Sequence, residues 1–332
     1  MATYKGIQGY TVQSLASDPS DLTKVTGQLW YNSASNVWKV AIEGSGSWAA
    51  KASLNTPRNS SAGFGIPTAA VDVGGNVPYT AAVEEFDGTS WTEVTAYPGV
   101  ISGAGSLGTL TAGLVFGGNP PSYGINNQTF EYNGASWTAG GALNASRNTA
   151  AGAGTQTAGL GACGGYPAPV GNAVEEYNGV GWTSVTIANN AMRARAGCGS
   201  QDSALAIGGY SLPAAAIQDF VEAYNGSSWT EVAVLNRPTT VGGAGGASNT
   251  SALFFGGSIP GQTEKTQQFN GTSWTEVGDL GTPRYGPAGL HGQVTTASQL
   301  AMAGGFSGSP NYSDACEEWT EPSYVAKTVT TS

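Results

Sequence analysis

A unit of about 45 residues recurs along this chain and constrains its fold more than any other sequence feature. Each unit carries a diglycine, an acidic-aromatic segment, a tight turn and a second large aromatic residue. The diglycines are Gly74-Gly75, Gly117-Gly118, Gly164-Gly165, Gly208-Gly209, Gly256-Gly257 and Gly304-Gly305. The aromatic pairs, each five positions apart, are Phe86 and Trp91, Tyr132 and Trp137, Tyr177 and Trp182, Tyr224 and Trp229, Phe269 and Trp274, and Trp319 and Tyr324. Such regular self-similarity predicts an array of equivalent supersecondary units.

Each unit divides into four short strand patterns, named a to d here. Strand a is small and glycine-rich, as in SAGFG, which suits an inner strand crowded around a central channel. Strand b is apolar and ends at the diglycine, strand c reads VEEF or VEEY, and strand d begins at the second aromatic residue. An Asp-Gly or Asn-Gly pair joins c to d in five units and predicts a two-residue hairpin. These pairs are Asp87-Gly88, Asn133-Gly134, Asn178-Gly179, Asn225-Gly226 and Asn270-Gly271.

Four-stranded units of this length predict the blades of a β-propeller, an all-β fold. The composition agrees, because glycine makes up 51 of 332 residues and charged residues only 10%, against roughly 25% in an ordinary domain. The second aromatic residue of each unit is expected to wedge between neighbouring blades, since large aromatic side chains dominate core packing. Stacking of these rings on carbohydrate is the alternative. The residues concerned are Trp48, Trp91, Trp137, Trp182, Trp229, Trp274 and Tyr324.

The blade count depends on how the N-terminal residues 1–54 are interpreted. Residues 55–332 hold the six clear units, and the last is expected to end in YVAKTVTT as its strand d. Residues 1–54 contain four strand-like runs, GYTVQSL, GQLWYN, NVWKVAIEG and SWAAKAS, in the order of a blade. The sequence therefore favours seven blades, the first of them divergent. Six blades with a separate N-terminal attachment hairpin are the alternative.

One face of the predicted propeller carries the most variable loops. In a four-stranded blade, the b–c and d–a connections emerge on the same face, and the b–c connections here differ in length and are rich in Pro, Tyr, Asn and Ser. Repeats that agree in their scaffold but differ in one loop set often bind partners through those loops. Drift of unconstrained surface loops is the alternative. The candidate binding tyrosines are Tyr79, Tyr123, Tyr166, Tyr210 and Tyr312.

All six arginines fall in the d–a connections, on the same predicted face: Arg58, Arg147, Arg193, Arg195, Arg237 and Arg284. They are expected to surround the channel mouth, where arginine could bind a carboxylate such as that of an acidic sugar. The alternative is pairing with strand c glutamates. Those glutamates are Glu84 or Glu85, Glu175 or Glu176, and Glu222.

The repeat resembles the kelch repeat, in which a diglycine is followed by Tyr and then Trp. The resemblance covers roughly residues 55–331. Four residues separate the Tyr from the Trp here, where kelch repeats usually have six, so the chain is kelch-like rather than a standard kelch protein.

Several segments also resemble kelch-like structural proteins of marine tailed bacteriophages. They are GYTVQSL, GQLWYN, LNTPR, AGAGTQTAGL and AVEEYNG. This resemblance implies a virion component, a tail or capsid appendage present in multiple copies, with other virion proteins and a host-surface glycan or protein as partners. The alternatives are a lectin-like or protein-binding propeller of bacterial origin and a sialidase-like glycan-cleaving enzyme.

Little in the sequence favours enzymatic chemistry. Galactose oxidase has a kelch-like fold but needs histidine ligands for copper, and this chain has one histidine, His291, on a predicted inner strand. A single Ser-His-Asp triad would have to use that residue. The segment DGTSW at residues 87–91 resembles the Asp-box turn of sialidases, but its spacing differs and the other copies carry Asn. We therefore expect a non-enzymatic protein with no cofactor and no metal site.

Charge, cysteines and the N-terminal sequence restrict the remaining partners. The net charge of −10 argues against binding nucleic acid phosphates or an anionic membrane surface. Cys163, Cys198 and Cys316 form no disulfide framework and are expected to be small buried residues. The segment MATYKGIQGY has no signal-peptide pattern, and no apolar run is long enough for a membrane helix. We expect synthesis in a host cytoplasm without export and no insertion into a membrane.

Overall fold

The computed structural model describes residues 12–25, 27–43, 46–76, 78–121, 124–165, 170–211, 213–291, 298–302, 312–321 and 324–329. These residues contain no α-helix, and two short 3₁₀ turns occupy Leu22–Val25 and Val170–Asn172. Within these ranges, no helix is both long and apolar enough to cross a bilayer. The chain divides into two compact units, Met1–Gly46 together with Glu321–Ser332, and Ser47–Thr320.

The larger unit contains five four-stranded antiparallel sheets, which follow the order a-b-c-d predicted from the repeat. Their strands are Ala62–Ile66, Ala69–Val73, Val83–Phe86 and Trp91–Glu93 in the first sheet; Gly105–Thr109, Ala112–Phe116, Thr129–Tyr132 and Trp137–Ala139 in the second; Ala151–Thr155, Ala158–Ala162, Val174–Tyr177 and Trp182–Ser184 in the third; Ala196–Ser200, Ser203–Ile207, Val221–Tyr224 and Trp229–Glu231 in the fourth; and Gly243–Ser248, Ser251–Phe255, Thr266–Phe269 and Trp274–Glu276 in the fifth. The all-β, propeller-like architecture expected from the sequence is therefore present.

The sixth sheet takes its outermost strand from the N-terminal side of the chain. Strands Ser298–Ala301 and Cys316–Thr320 pair as b and c, and Ser47–Lys51 pairs with c in the position of strand d. Trp48 lies opposite Trp319 in the register in which Trp91 lies opposite Phe86. The assignment of Tyr324 and the strand after it to this position is therefore wrong.

The remaining N-terminal strands form a separate sheet in the smaller unit. It consists of Gln13–Leu15, Leu29–Asn32, Val37–Glu43 and Tyr324–Thr328, in that order, with the first pair parallel. Asp18 accepts hydrogen bonds from Trp30, Asn32 and Lys39 and so ties the preceding loop to this sheet. The strand pairing does not give the favoured seventh blade, because its predicted strands are divided between this sheet and the sixth sheet of the larger unit.

Short pairings link the b–c and d–a connections at the edge of the repeat sheets. In the fourth repeat they form a small sheet of Met192–Arg193, Tyr210–Ser211 and Ala216–Ile217. In three other repeats they are isolated bridges, among them Asn59 with Asn76, Ser102 with Asn119, and Thr240 with Ser258. These links hold both connections on one face, as the repeat pattern predicts.

The innermost strands pack closely enough that their glycines are required. A Cβ atom on Gly152 of the third sheet would lie 2.3 Å from the carbonyl oxygen of Ser106 in the second. A Cβ on Gly289, before the sixth sheet, would lie 2.3 Å from the Ala244 oxygen of the fifth. A Cβ on Gly63 of the first sheet would lie 2.7 Å from the Gly289 oxygen. The contacts between inner strands therefore return to the first sheet.

The tryptophans that begin the strands d lie between neighbouring sheets. Trp91, Trp182, Trp229 and Trp274 are buried, whereas Trp48 and Trp137 are half-buried. Each indole N–H donates a hydrogen bond to the preceding repeat, at distances from 2.8 to 3.2 Å. The acceptors are Thr266 for Trp48, Ala52 for Trp91, Thr95 for Trp137, Thr129 for Trp182, Thr186 for Trp229 and Ala233 for Trp274.

Candidate functional site

Four of the six arginines are buried structural residues rather than a positive ring facing solvent. Each pairs with the first acidic residue of the strand c in its own sheet: Arg58 with Glu84, Arg147 with Glu175, Arg195 with Glu222, and Arg284 with Glu317. All four arginines are at most 4% exposed. The expectation that these four line the mouth is therefore corrected, because the pairing with strand c glutamates takes place instead.

The same carboxylates are also held by the d–a connection. The backbone N–H of Asn55 donates to Glu84 over 2.7 Å, and its side-chain amide donates to the Trp91 carbonyl. Asn144 makes the equivalent contacts with Glu175 and Trp182. These glutamates are consequently fixed by several donors and are poorly placed for acid-base chemistry.

Two sheets lack the Arg-Glu pair, and both partners change together. In the second sheet, Ile101 and Phe130 occupy the two positions and belong to one apolar cluster. In the fifth sheet the positions hold Thr239 and Gln267. An unpaired buried charge is strongly destabilising, which explains why neither partner occurs alone.

A closed cycle of hydrogen bonds joins the d–a connections of the six repeats, at the position predicted for the channel mouth. At one equivalent position of each d–a connection the residue has a positive φ, and these residues are Ser60, Gly103, Thr149, Ala194, Val241 and Gly286. Each donates its backbone N–H to the equivalent residue of the preceding repeat, and Ser60 donates to Gly286 over 3.4 Å to close the cycle. Five acceptors are carbonyl oxygens, and the sixth is the Thr149 hydroxyl. A positive φ is an outlier for a β-branched residue such as Val241, so the cycle must enforce it.

A cavity of about 280 Å³ opens beside this cycle, with Arg193, Tyr210, Tyr285 and Asn148 among its lining residues. The Arg193 guanidinium lies 4.8 Å from the centre of the Tyr210 ring. Arg237 does not line it and instead forms an exposed pair with Glu276 at 2.9 Å. Among the described lining residues of this cavity, Arg193 is therefore the only one of the predicted arginines.

The predicted binding tyrosines differ in exposure and position. Tyr79 is 40% exposed, Tyr210 lines the mouth cavity, and Tyr312 is half-buried. Tyr123 and Tyr166 lie outside the described residues.

His291 lies below the mouth, in a small cavity of about 80 Å³. Its Nδ1 is 3.3 Å from the Ser106 hydroxyl, which itself donates to the Gly63 carbonyl. Burial lowers the His291 pKa to about 4, so the ring is neutral near pH 7. Its Nε2 has no partner in the described chain, so no carboxylate orients this ring as a triad requires.

The described residues contain no cluster of His, Cys, Asp and Glu side chains suited to a metal ion. Cys163, Cys198 and Cys316 are free and buried, and burial raises the Cys198 pKa to about 12. Burial raises the pKa of the Cys163 thiol as well, so both of these thiols are protonated and unreactive near pH 7.

A larger cavity, of about 570 Å³, lies in the second repeat on the same face. Tyr97, Ile101 and Gln128 line it, with prolines, aliphatic residues and two further carboxamides. Sequence reasoning did not single out this site. The sequence signal for it is that Tyr97 stands where the other repeats have Leu or Ala. Ile101 likewise stands where three of the other repeats have Arg.

Comparisons with known proteins give the fold alone. No family model matches the chain, and no curated protein matches it. The solved structure of YjhT is similar, with a TM-score of 0.64 and 15% sequence identity, and the match covers 83% of this chain and 99% of that one.

Proposed function

We propose that this chain is a six-bladed, kelch-like propeller that acts as a non-enzymatic structural and binding protein of a tailed-phage virion. Six blades are supported by the cycle of hydrogen bonds, which passes once through each repeat and returns to Ser60. The virion assignment is supported by the resemblance of the N-terminal and blade segments to phage structural proteins.

The non-enzymatic part of the proposal rests on the charged groups, because most of them are held in structural ion pairs. The glutamates that face the d–a connections are paired with buried arginines, and His291 is neutral and lacks an orienting acid among the described residues. What varies between repeats is the b–c connections, which contribute six lining residues to the larger cavity and Tyr210 to the mouth cavity. A rigid ring with a variable loop face suits adhesion to a host glycan or protein and contact with other virion proteins.

A lectin-like propeller of bacterial origin is the second candidate, favoured by the mouth cavity with its arginine and phenol groups. Mass spectrometry and cryo-electron microscopy of purified particles distinguish the two candidates. The virion proposal predicts the protein at fixed stoichiometry in the particle, and its absence from particles would leave the lectin reading.

Enzymatic activity is tested separately with the pure protein. We expect no release of sugar from host glycans or sialylated substrates. Hydrolysis that disappears in the Arg193→Ala variant but persists in Arg237→Ala would contradict the non-enzymatic proposal.

A further inference from the structure

We propose that the cavity of the second repeat is a binding site for an uncharged pyranose sugar. The inference deepens the proposed function and rests on it only for the use of this face in binding. It is carried by the cavity, by a buried hydroxyl group without a partner and by the absence of charge among the described residues that line the cavity.

One residue that lines the cavity occupies a position at which three other repeats have arginine. In the third sheet, Arg147 donates to the carbonyl of Ala173, the residue before strand c. The equivalent residues in the second repeat are Ile101 and Gln128, and both line the cavity. Ile101 and Phe130 stand in the positions of Arg147 and Glu175, so no ion pair forms beside the cavity, and Phe130 packs against the Tyr97 ring instead.

Tyr97 supplies a polar group at an otherwise aliphatic position. Its backbone N–H donates to the Ala81 carbonyl, as those of Leu143 and Leu235 do to their own b–c connections. The Tyr97 side chain is 5% exposed, and its ring packs edge-on against Phe130 and Trp137. Its hydroxyl has no hydrogen-bond partner among the described residues, although burial of an unpaired hydroxyl is costly. The hydroxyl itself is not accessible to solvent, so a ligand hydroxyl in the cavity that Tyr97 lines would pair with it through a small shift of the ring.

The residues that line the cavity indicate which kind of ligand it can bind. The described lining residues include no Asp, Glu, Lys, Arg or His, so a charged ligand would lose its hydration without a compensating partner. Val100, Pro120 and Ile125 offer apolar contact, whereas Asn126, Asn127 and Gln128 offer amide donors and acceptors. A sugar ring presents both C–H faces and hydroxyl groups, and a cavity of about 570 Å³ falls in the usual range for small ligands.

An extended peptide fits this site less well. Peptides that bind through their backbone add a strand to an exposed sheet edge. The residues lining this cavity belong to the connections, and none lies in a strand. The site therefore offers hydrogen bonds from side chains, not the backbone hydrogen bonds of a β-strand edge.

The test is ligand-observed NMR titration with methyl glucoside, methyl galactoside and N-acetylglucosamine, with glucuronate and glucosamine as charged comparators. The intact protein is expected to bind at least one neutral sugar saturably and both charged sugars more weakly. Tyr97→Phe is expected to weaken neutral-sugar binding about tenfold while the fold is retained, because one hydrogen bond to a buried group is lost. Gln128→Ala, at an exposed position, is expected to act in the same direction.

The matched variant restores the ion pair that the chain uses elsewhere. Ile101→Arg with Phe130→Glu should fill the cavity and abolish binding, whereas Arg193→Ala at the mouth should leave binding unchanged. If the double variant fails to fold, Tyr97→Phe and Gln128→Ala decide. The inference is wrong if no neutral sugar binds, if these variants bind normally, or if an uncharged peptide binds in place of every sugar. Loss of sugar binding in Arg193→Ala alone would move the site to the mouth and leave the proposed function standing.

Discussion

Asp72 lies fully buried on strand b of the first sheet, where its Oδ1 is 3.6 Å from the Arg58 guanidinium. Ser61 donates a hydrogen bond to its other oxygen over 2.8 Å. Burial raises the Asp72 pKa to about 6, and the attraction of Arg58 only partly opposes this. The corresponding residues, Val115 in the second sheet and Phe254 in the fifth, are apolar, so Asp72 is a local exception with a measurable consequence.

The raised pKa predicts a specific pH dependence of stability. Because the folded state binds this proton more tightly than the unfolded state, the stabilising effect is complete below about pH 4 and is lost as the pH rises through about 6. Relative to Asp72→Asn, the wild-type free energy of unfolding should fall by about 3 kcal/mol across this window. Urea unfolding at several pH values measures it. A constant difference between the two proteins would show that Asp72 does not titrate in this window.

At the scale of the single element, the repeats act as internal controls for one another. The hydroxyls of Tyr132, Tyr177 and Tyr224 on strands c donate to Glu85, Glu131 and Glu176 of the preceding sheets. Where the preceding sheet has Ala223, the aromatic residue that follows is Phe269, which needs no acceptor. At these four positions the tyrosine hydroxyl and the glutamate carboxylate therefore occur together or are both absent.

The same logic predicts how the Arg-Glu pair responds to substitution. Glu175→Gln should lower the free energy of unfolding by about 3–5 kcal/mol, because Arg147 is then buried without a countercharge. Adding Arg147→Thr copies the Thr239 and Gln267 combination of the fifth sheet and should recover part of that loss. Urea titrations of the two variants measure it. If the double variant is less stable than the single one, the pair is not a self-contained unit.

The sequence predicts these elements well where the information is local. Alternating apolar residues, diglycines and Asn-Gly turns lie within one repeat, and the strands of five sheets follow them closely. Two features of the site escaped prediction. The arginines were placed on the correct connections, but sequence does not tell whether a guanidinium reaches inward to Glu84 or outward to solvent. Tyr97 and Ile101 were visible only as departures from the other repeats.

At the scale of the whole molecule, the sixth sheet was missed because its strand d lies at the far end of the chain. The Trp319-x₄-Tyr324 spacing imitates the repeat, yet Tyr324 pairs with Glu43 in the smaller unit. Trp48 instead lies opposite Trp319, and its indole donates to Thr266 of the fifth sheet over 2.9 Å. The sixth sheet thus joins segments that are far apart in the sequence, which a pattern read along the sequence cannot reveal.

Disulfide trapping tests this strand pairing most directly, because Glu318 lies opposite Ala49 in the structure. In a background without the native cysteines, Ala49→Cys with Glu318→Cys should oxidise readily in the folded protein. Val325→Cys with Glu318→Cys, the pairing implied by a C-terminal strand d, should remain reduced. Rapid formation of the second cross-link without the first would contradict the pairing of Ser47–Lys51 with Cys316–Thr320, on which the proposed six-bladed ring depends.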